Sequence, residues 1–550
     1  MFSTSPWLKR IFLWFLPLAF LAVFFFFPLS KILTLTFDLE VITPQNLQIT
    51  NYALRFTFYQ AFLSTLLTLT LGLPSAVLFA RFDFHGKALL RALTAVPFML
   101  PTVVVAAAFN SLLGQRGLLN TLITNYQLPT FTPSPFTLIL LAHVFYNTTI
   151  VIRIVGTALS SLDPKLEQTA RSLGADPLRV WTHVTLPLLR PSLLAASLLV
   201  FLFDFTSFGV ILLLGGSQFA TLEVEIYLQA VKLLNLPLAA LLSVIQLVCT
   251  LVFSLLYSHF ATRNSYPLQP RSVAVKPRTL QQKLFVLTLC SLLTVYFALP
   301  LLSLPARSLF RLEADRGQRT EVQYGFTTDY YAELFINRRG SVFYVPPIRA
   351  AFNSLAYASA TVALSLLLGF PAAFALAKPT RLENILDPLI MLPLGSSAVM
   401  LGLGFIITYG SWLTSPLLVP FAHTLVALPF VIRTLQPAIA SIPQRLRDAA
   451  SALGASPLEV WMHIDLPILR RAALAAATFA FTVSLGEFGA TLLISRPEYP
   501  TIPVAIERFL SQPGGLNYGQ AMAMATILML LTTVSILLIE KFRPPAAGDF

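Results

Sequence analysis

Twelve apolar runs, each close to the length that crosses a lipid bilayer, constrain this chain more than any other feature. They fall at roughly 11–37, 56–80, 88–113, 136–152, 188–215 and 236–260. After a polar, proline-containing stretch they resume at roughly 284–306, 350–377, 386–410, 416–432, 468–495 and 518–539. A helical span takes about 20 mostly apolar residues. Hydrocarbon offers backbone N–H and C=O groups no partners, so each segment must satisfy its own as a helix. Charged residues make up 11% of the 550, whereas a soluble domain carries about 25%. The expectation is an all-α polytopic membrane protein with about 12 transmembrane helices, six plus six.

The two sets of six are copies. Between Leu173 and Arg190, twelve of eighteen positions recur 280 residues later, which marks an internal duplication. His143, Arg153, Phe208, Gly209 and Thr221 return as His423, Arg433, Phe488, Gly489 and Thr501. Upstream, the Gly72–Pro74 stretch answers Gly369–Pro371 at an offset of 297, so the first copy carries extra residues, placed in its polar stretch 114–135. The expected organisation is a first half at 1–262, a linker at 263–283 and a second half at 284–550.

The most alike stretches, about 163–187 and 443–467, are islands of charge and proline. Each reads as a knuckle: helix, turn, helix. Gly174 and Gly454 close the first helix, since glycine takes the left-handed conformation readily. Asp176 and Ser456 cap the second, Pro177 and Pro457 fit its first position, and Glu459 completes a capping box with Ser456. Leu186-Pro187 and Leu466-Pro467 are expected to end the element. Ala170, and Ala449 with Ala450, leave one side of the first helix thin, so that another protein surface can approach. Trp181 and Trp461, each with Leu178 or Leu458 one turn earlier, either anchor a partner or pack under the membrane domain. His183 and His463 read as structural.

Basic residues set the orientation. With the N-terminus inside, the inner segments hold 24 Lys and Arg and the outer ones 13. Both knuckles, the linker and both termini then lie inside, and the stretch 307–349 is the largest outer loop. The basicity is accounted for by topology and anionic lipid headgroups, without nucleic acid. Lys9 and Arg10 precede an apolar run too long for a removable signal core of about 7–15 residues. Cys249 and Cys290 lie inside apolar runs and build neither a disulfide framework nor a metal cluster. Gly86-Lys87 lacks the rest of a phosphate-binding loop, and there is no H-E-x-x-H and no G-x-S-x-G. No catalytic residue, metal or cofactor is called for, and uphill transport would need an outside energy source.

Two acidic residues fall within spans, Asp204 and Glu487. A carboxylate there costs roughly 2.5–3.5 kcal/mol on insertion scales, so each must face a polar cavity or a partner. They occupy non-equivalent repeat positions: Asp204 aligns with Ser484, and Ser207 with Glu487. Either they line a translocation pathway that meets a cation, or they bond between helices or at a helix break beside Gly486.

Gln168, Thr169 and Ala170 with Gly174, and Asp448, Ala449 and Ala450 with Gly454, each followed by a Leu-Pro pair thirteen residues after the glycine, resemble the "EAA" loop of ABC importer permeases. The resemblance covers nearly the whole chain and is to the fused type, with two permeases in one polypeptide. It implies that Gln168, Thr169, Ala170, Gly174, Pro177, Trp181 and Pro187 form one ATPase-coupling loop. Asp448, Ala449, Ala450, Gly454, Pro457, Trp461 and Pro467 would form the other. The family's glutamate is replaced by Gln168 and by Asp448. Two cytoplasmic ATPase subunits and an extracytoplasmic substrate-binding protein are the implied partners, and a bacterial inner membrane the implied location. Size and duplication resemble the thiamine and ferric-iron permeases. The stretches Arg55–Ser64, Gly114–Gly117 and Leu141–Asn147 are more similar to the thiamine group, with ferric iron the alternative. From another class, an ion-coupled secondary transporter would use Asp204 or Glu487 as its ion site and would not need a duplicated knuckle.

Overall fold

A computed structural model describes residues 6–37, 41–125, 133–262, 274–311, 325–337, 345–412 and 415–542. Helices dominate it. Among the described residues the strands are Phe310–Arg311 and Gly325–Phe326, a short antiparallel pair. Eleven helices are long and apolar enough to span a membrane, and up to thirteen if two sharply bent helix pairs each count as one span. The chain is thus an all-α polytopic membrane protein of about the expected number of spans.

Three of the twelve runs differ in shape from a plain helix. The third breaks at Leu100-Pro101 into Lys87–Met99 and Thr102–Leu113. Leu100 is extended (ψ 146°), because a residue before proline is pushed out of the helical region. The ninth splits into Arg381–Gly395 and Ala398–Tyr409, bent by 94°, where the Ser397 hydroxyl accepts from the Met400 amide at 3.0 Å and starts a new helix. The fifth begins earlier than hydropathy suggests, at Pro177, and ends at Phe205. Beyond it lies a pair, Gly209–Phe219 and Leu222–Lys232, bent by 77°. Most of the linker, at 263–273, and parts of the stretches 114–135 and 307–349 lie outside the described residues.

The chain divides into two compact units, and each takes its opening helix from the other half of the sequence. In one, helix Phe12–Thr36 joins the helices of 345–542. Trp14 Nε1 donates to Glu383 Oε1 (3.3 Å), the Tyr409 hydroxyl donates to the Val23 carbonyl (2.7 Å), and the Phe24 ring lies 4.5 Å from Phe421. In the other, helix Leu280–Leu309 joins the helices of 44–225. The Tyr296 hydroxyl donates to the Leu141 carbonyl (2.7 Å), the Phe145 and Phe297 rings stack at 5.2 Å, and the Ser303 and Ser111 hydroxyls bond.

Within each unit the second and fourth spans of a repeat pack closely: Pro44–Arg81 on Pro135–Ser161, and Ile348–Leu376 on Leu418–Ala440. Glycine permits the approach. A Cβ on Gly72 would stand 2.6 Å from Val151, and one on Gly369 would stand 2.7 Å from Val431. Those two glycines and two valines are repeat equivalents, so the offset of 297 upstream and 280 downstream describes one contact built twice.

Candidate functional site

The two knuckles are built alike, and their backbone chemistry explains their shape. Asp163 starts the first, its side chain accepting from the Lys165 amide at 2.9 Å ahead of helix Pro164–Ser172. That helix closes with paired bonds, Gly174 N to Arg171 O (2.9 Å) and Ala175 N to Ala170 O (3.1 Å). Such closure needs a left-handed residue, and Gly174 has φ +85°. Asp176 then accepts from the Arg179 amide at 2.6 Å and restarts the chain at Pro177. In the second copy Gly454 has φ +89°, Ala455 N bonds Ala450 O at 3.0 Å, and Ser456 with Glu459 forms the capping box. An added Cβ on either glycine would meet nothing within 4 Å. Backbone conformation, not crowding, is what calls for glycine there.

Leu186-Pro187 and Leu466-Pro467 do not end the element, contrary to the sequence expectation. The second helix continues through a wider turn, Trp181–Thr185 or Trp461–Asp465, into the membrane span. Proline has no N–H and its ring clashes with the carbonyl of residue i−4. Lengthening the turn just before it relieves that clash without stopping the helix. His183 and His463 place Nδ1 at 3.3 and 3.0 Å from the carbonyls of Arg179 and Glu459, four residues back, which is the structural role read from their position.

Exposure separates the knuckle residues. Gln168, Thr169, Asp448, Ala449, Gly174, Gly454, Pro177 and Pro457 are exposed, as is Pro467, while Ala170, Ala450 and Pro187 are half-buried. Both tryptophans turn inward. Trp181 lies under the Arg81 guanidinium at 6.0 Å, and Trp461 sits edge-on to Phe370 and Phe374 at 5.5 and 5.3 Å. The outward apolar groups are leucines: Leu173 and Leu453 are 84% and 89% exposed, with Leu178 and Leu458 at 71% and 66%. Sequence reasoning missed Leu173 and Leu453, although the signal was available as an apolar residue directly before each helix-closing glycine.

Each knuckle is also clamped to its own second helix, with the charges exchanged between copies. Arg81 donates to both Glu167 oxygens, through Nη1 at 3.0 Å and through Nη2, and the Thr185 hydroxyl donates to the same carboxylate at 2.6 Å. Burial alone would raise the Glu167 carboxyl, but the bonds from Arg81 and Thr185 and the charges of Arg81 and Arg171 outweigh it and hold the group below its usual range. In the second copy the equivalents of Glu167 and Thr185 are Arg447 and Asp465, joined Nε to Oδ1 at 2.8 Å. Lys378, the counterpart of Arg81, turns to Gln444 instead (2.6 Å), and Gln444 holds Asp448 (3.0 Å).

The two intramembrane carboxylates lie within their own units, each beside a repeated histidine. His143 sits between the hydroxyls of Ser64 (3.0 Å, at Nδ1) and Ser207 (2.8 Å, at Nε2), with Nδ1 3.5 Å from Asp204 Oδ1. His423 sits between those of Ser484 (2.7 Å, at Nδ1) and Thr491 (2.7 Å, at Nε2), with Nε2 3.2 Å from Glu487 Oε2. The acid approaches opposite ring nitrogens because it occupies the opposite repeat position. Glu487 is satisfied at the helix break beside Gly486: Oε1 accepts from the Ala490 amide (2.8 Å) and Oε2 from the Thr491 amide (3.0 Å) and hydroxyl (2.5 Å). Asp204 is fully buried, bonded by Asn147 at 2.7 Å through Oδ1.

A family model described as "Binding-protein-dependent transport system inner membrane component" matches residues 68–266 and again 365–545. The chain belongs to this family, with its domain present twice. This permease is a transport protein, not an enzyme, and a multi-pass protein of the inner membrane. It is 28% identical over 507 residues to the thiamine transport system permease protein ThiP of Escherichia coli (strain K12), covering 89% of this chain and 88% of that one. With ThiP of Haemophilus influenzae it shares 26% identity over 550 residues, 96% and 95% of the two chains. A probable ABC transporter permease protein, y4fN of Sinorhizobium fredii, is 24% identical over 504 residues, 88% and 87% of the two.

Proposed function

We propose that this permease is the membrane subunit of an ABC importer for thiamine or a solute of that type, working by alternating access between its two repeat halves, 1–262 and 284–550. Two ATPase subunits dock at the knuckles from the cytoplasm, and an extracytoplasmic binding protein delivers the solute. Both termini are cytoplasmic in this reading. The observation that carries the coupling role is the twice-built knuckle, with Leu173 and Leu178, or Leu453 and Leu458, held outward around a glycine-closed turn. Exposed leucines on a rigid, charged surface suit a protein partner, since fully burying each contributes roughly 1.5–3 kcal/mol. Gln168 and Asp448 are each exposed on their own knuckle and give the two docking faces different charge. End-to-end similarity to relatives named for thiamine carries the preference over ferric iron.

The test is reconstitution. The chain purified alone hydrolyses no ATP, co-purifies with a separate ATPase at two copies per chain, and supports uptake of labelled thiamine only with ATP and the binding protein present. Thiamine uptake that persists without any ATPase subunit and collapses with an uncoupler refutes the coupling. Uptake of ferric iron in place of thiamine refutes the substrate alone.

A further inference from the structure

The two buried carboxylates are held in opposite electrostatic surroundings. Glu487 receives backbone amides from the start of the next helix, a hydroxyl and a histidine nitrogen, so both of its oxygens are occupied. Asp204 lies in the last turn of helix Pro177–Phe205, where unpaired carbonyls give the helix end a partial negative charge. Gln60 Nε2 donates to the Asp204 carbonyl and Asn147 Nδ2 to Asp204 Oδ1, both at 2.7 Å. Three oxygens on these side chains have no donor among the described residues: Asp204 Oδ2, Gln60 Oε1 and Asn147 Oδ1. All three residues are at most 1% exposed. Rotating either amide to exchange its oxygen and nitrogen would put oxygen against oxygen at 2.7 Å, so the acceptors are fixed as acceptors. His143 does not meet the need. Its nitrogens take the Ser64 and Ser207 hydroxyls, and the nearer one faces Oδ1, not the open Oδ2.

Asp204 carries an open, buried carboxylate oxygen, and each of the two amides bonded to Asp204 carries an open acceptor of its own; burying them is costly unless something positive joins them. We infer that Asp204, Gln60 and Asn147 form a binding site for a monovalent cationic group, and that Glu487 is structural and forms none. One carboxylate with neutral oxygens matches a single positive charge. A divalent ion such as calcium takes six to eight oxygens, and softer metals take nitrogen or sulfur. The group is either the charged part of an organic solute, which rests on the thiamine reading, or an alkali cation, which does not.

The experiment is thermal unfolding of the full chain purified with its ATPase. Thiamine, NaCl or KCl is titrated at constant ionic strength made up with N-methylglucamine chloride. At about 100 times Kd, a bound cation raises Tm by a few degrees in the wild type. Asp204→Asn abolishes that rise. Without any added cation it melts no lower than the wild type, because the new amide donates where acceptors lacked a donor. Glu487→Gln melts lower and keeps the response. Should Asp204→Asn fail to fold, Asn147→Leu replaces it and requires about tenfold more cation for the same shift. A wild-type Tm unmoved by all three probes, or equal shifts in wild type and Asp204→Asn (or Asn147→Leu), overturns the site. A response to thiamine alone makes it a solute subsite, and a response to Na⁺ or K⁺ alone makes it an inorganic cation site. Absent thiamine uptake with a persistent alkali response removes the substrate reading and leaves the site. Normal uptake without any thermal response does the reverse.

Discussion

Replacing Glu167 with alanine removes the clamp that holds the first knuckle, and the structure sets the size of the effect. Breaking a fully buried ion pair by deleting one partner costs roughly 3–5 kcal/mol, and an exposed pair roughly 0–1. The Glu167 and Arg81 side chains are 16% and 30% exposed, between those limits. Thr185, almost fully buried, also loses its acceptor. About 2 kcal/mol of local stability should go, a factor of about 30 in the opening equilibrium of the knuckle. Hydrogen exchange read by mass spectrometry reports it: amides of 164–175 should lose about 30-fold protection while the membrane spans keep theirs. Glu167→Arg should be worse, because it faces Arg81 with a like charge. Adding Thr185→Asp to Glu167→Arg reproduces the Arg447–Asp465 pair of the second copy and should recover at least half of the lost protection. A change under threefold in Glu167→Ala, or a double variant no better than Glu167→Arg, refutes the clamp. The pH dependence has a fixed sign. The folded Glu167 titrates below its ordinary value of 4.5, so the contribution is complete above about that pH and is lost as pH falls through the lower folded value. Protection should therefore be flat between about pH 8 and 5.

Gly174→Val should strain the knuckle by roughly 1–3 kcal/mol through its positive φ, lowering ATPase retention at normal membrane abundance, while Gly174→Asn loses less because asparagine tolerates that region; low abundance in the valine variant alone would contradict the open space around the position. Leu173→Asp with Leu453→Asp should release the ATPase by tenfold or more on detergent extraction, with thermal stability of the chain unchanged. In a background without Cys249 and Cys290, an impermeant thiol reagent on intact cells (outer membrane permeabilised) should label Gly325→Cys and not Arg271→Cys, and the reverse pattern overturns the orientation.

Periodicity and duplication made the membrane fold legible, because hydrocarbon leaves a long apolar run little choice but a helix. Glycine, proline and capping residues made the knuckles legible for a similar reason: φ at Gly174 and the Asp176 cap depend on a few adjacent residues. Sequence reasoning stopped where the outcome depended on partners far along the chain. Trp181 could face a partner or the membrane domain, and the choice was made by Arg81, a hundred residues earlier. Sequence alone starts the fifth span after Pro187, because proline usually marks an end and the wider turn that absorbs it has no sequence signature of its own. Exchange of opening helices between the units was equally hidden, since Trp14 meeting Glu383 leaves no periodic trace.

The two copies together carry information that neither carries alone. Glu167 with Thr185 became Arg447 with Asp465, and Asp204 with Ser207 became Ser484 with Glu487. At the knuckle the contact persists while donor and acceptor trade places, so single residues cannot be moved between copies without breaking it and pairs can. At the histidine the exchange is not neutral. Moving the acid three residues along takes it from the carbonyl end of one helix to the amide end of the next, from a site where one carboxyl oxygen has no donor among the described residues to one where both oxygens are bonded. An acid and a serine, exchanged across one helix break, thus leave one half of the permease with the open carboxylate oxygen on which the inferred cation site rests, and the other with a carboxylate bonded across the break.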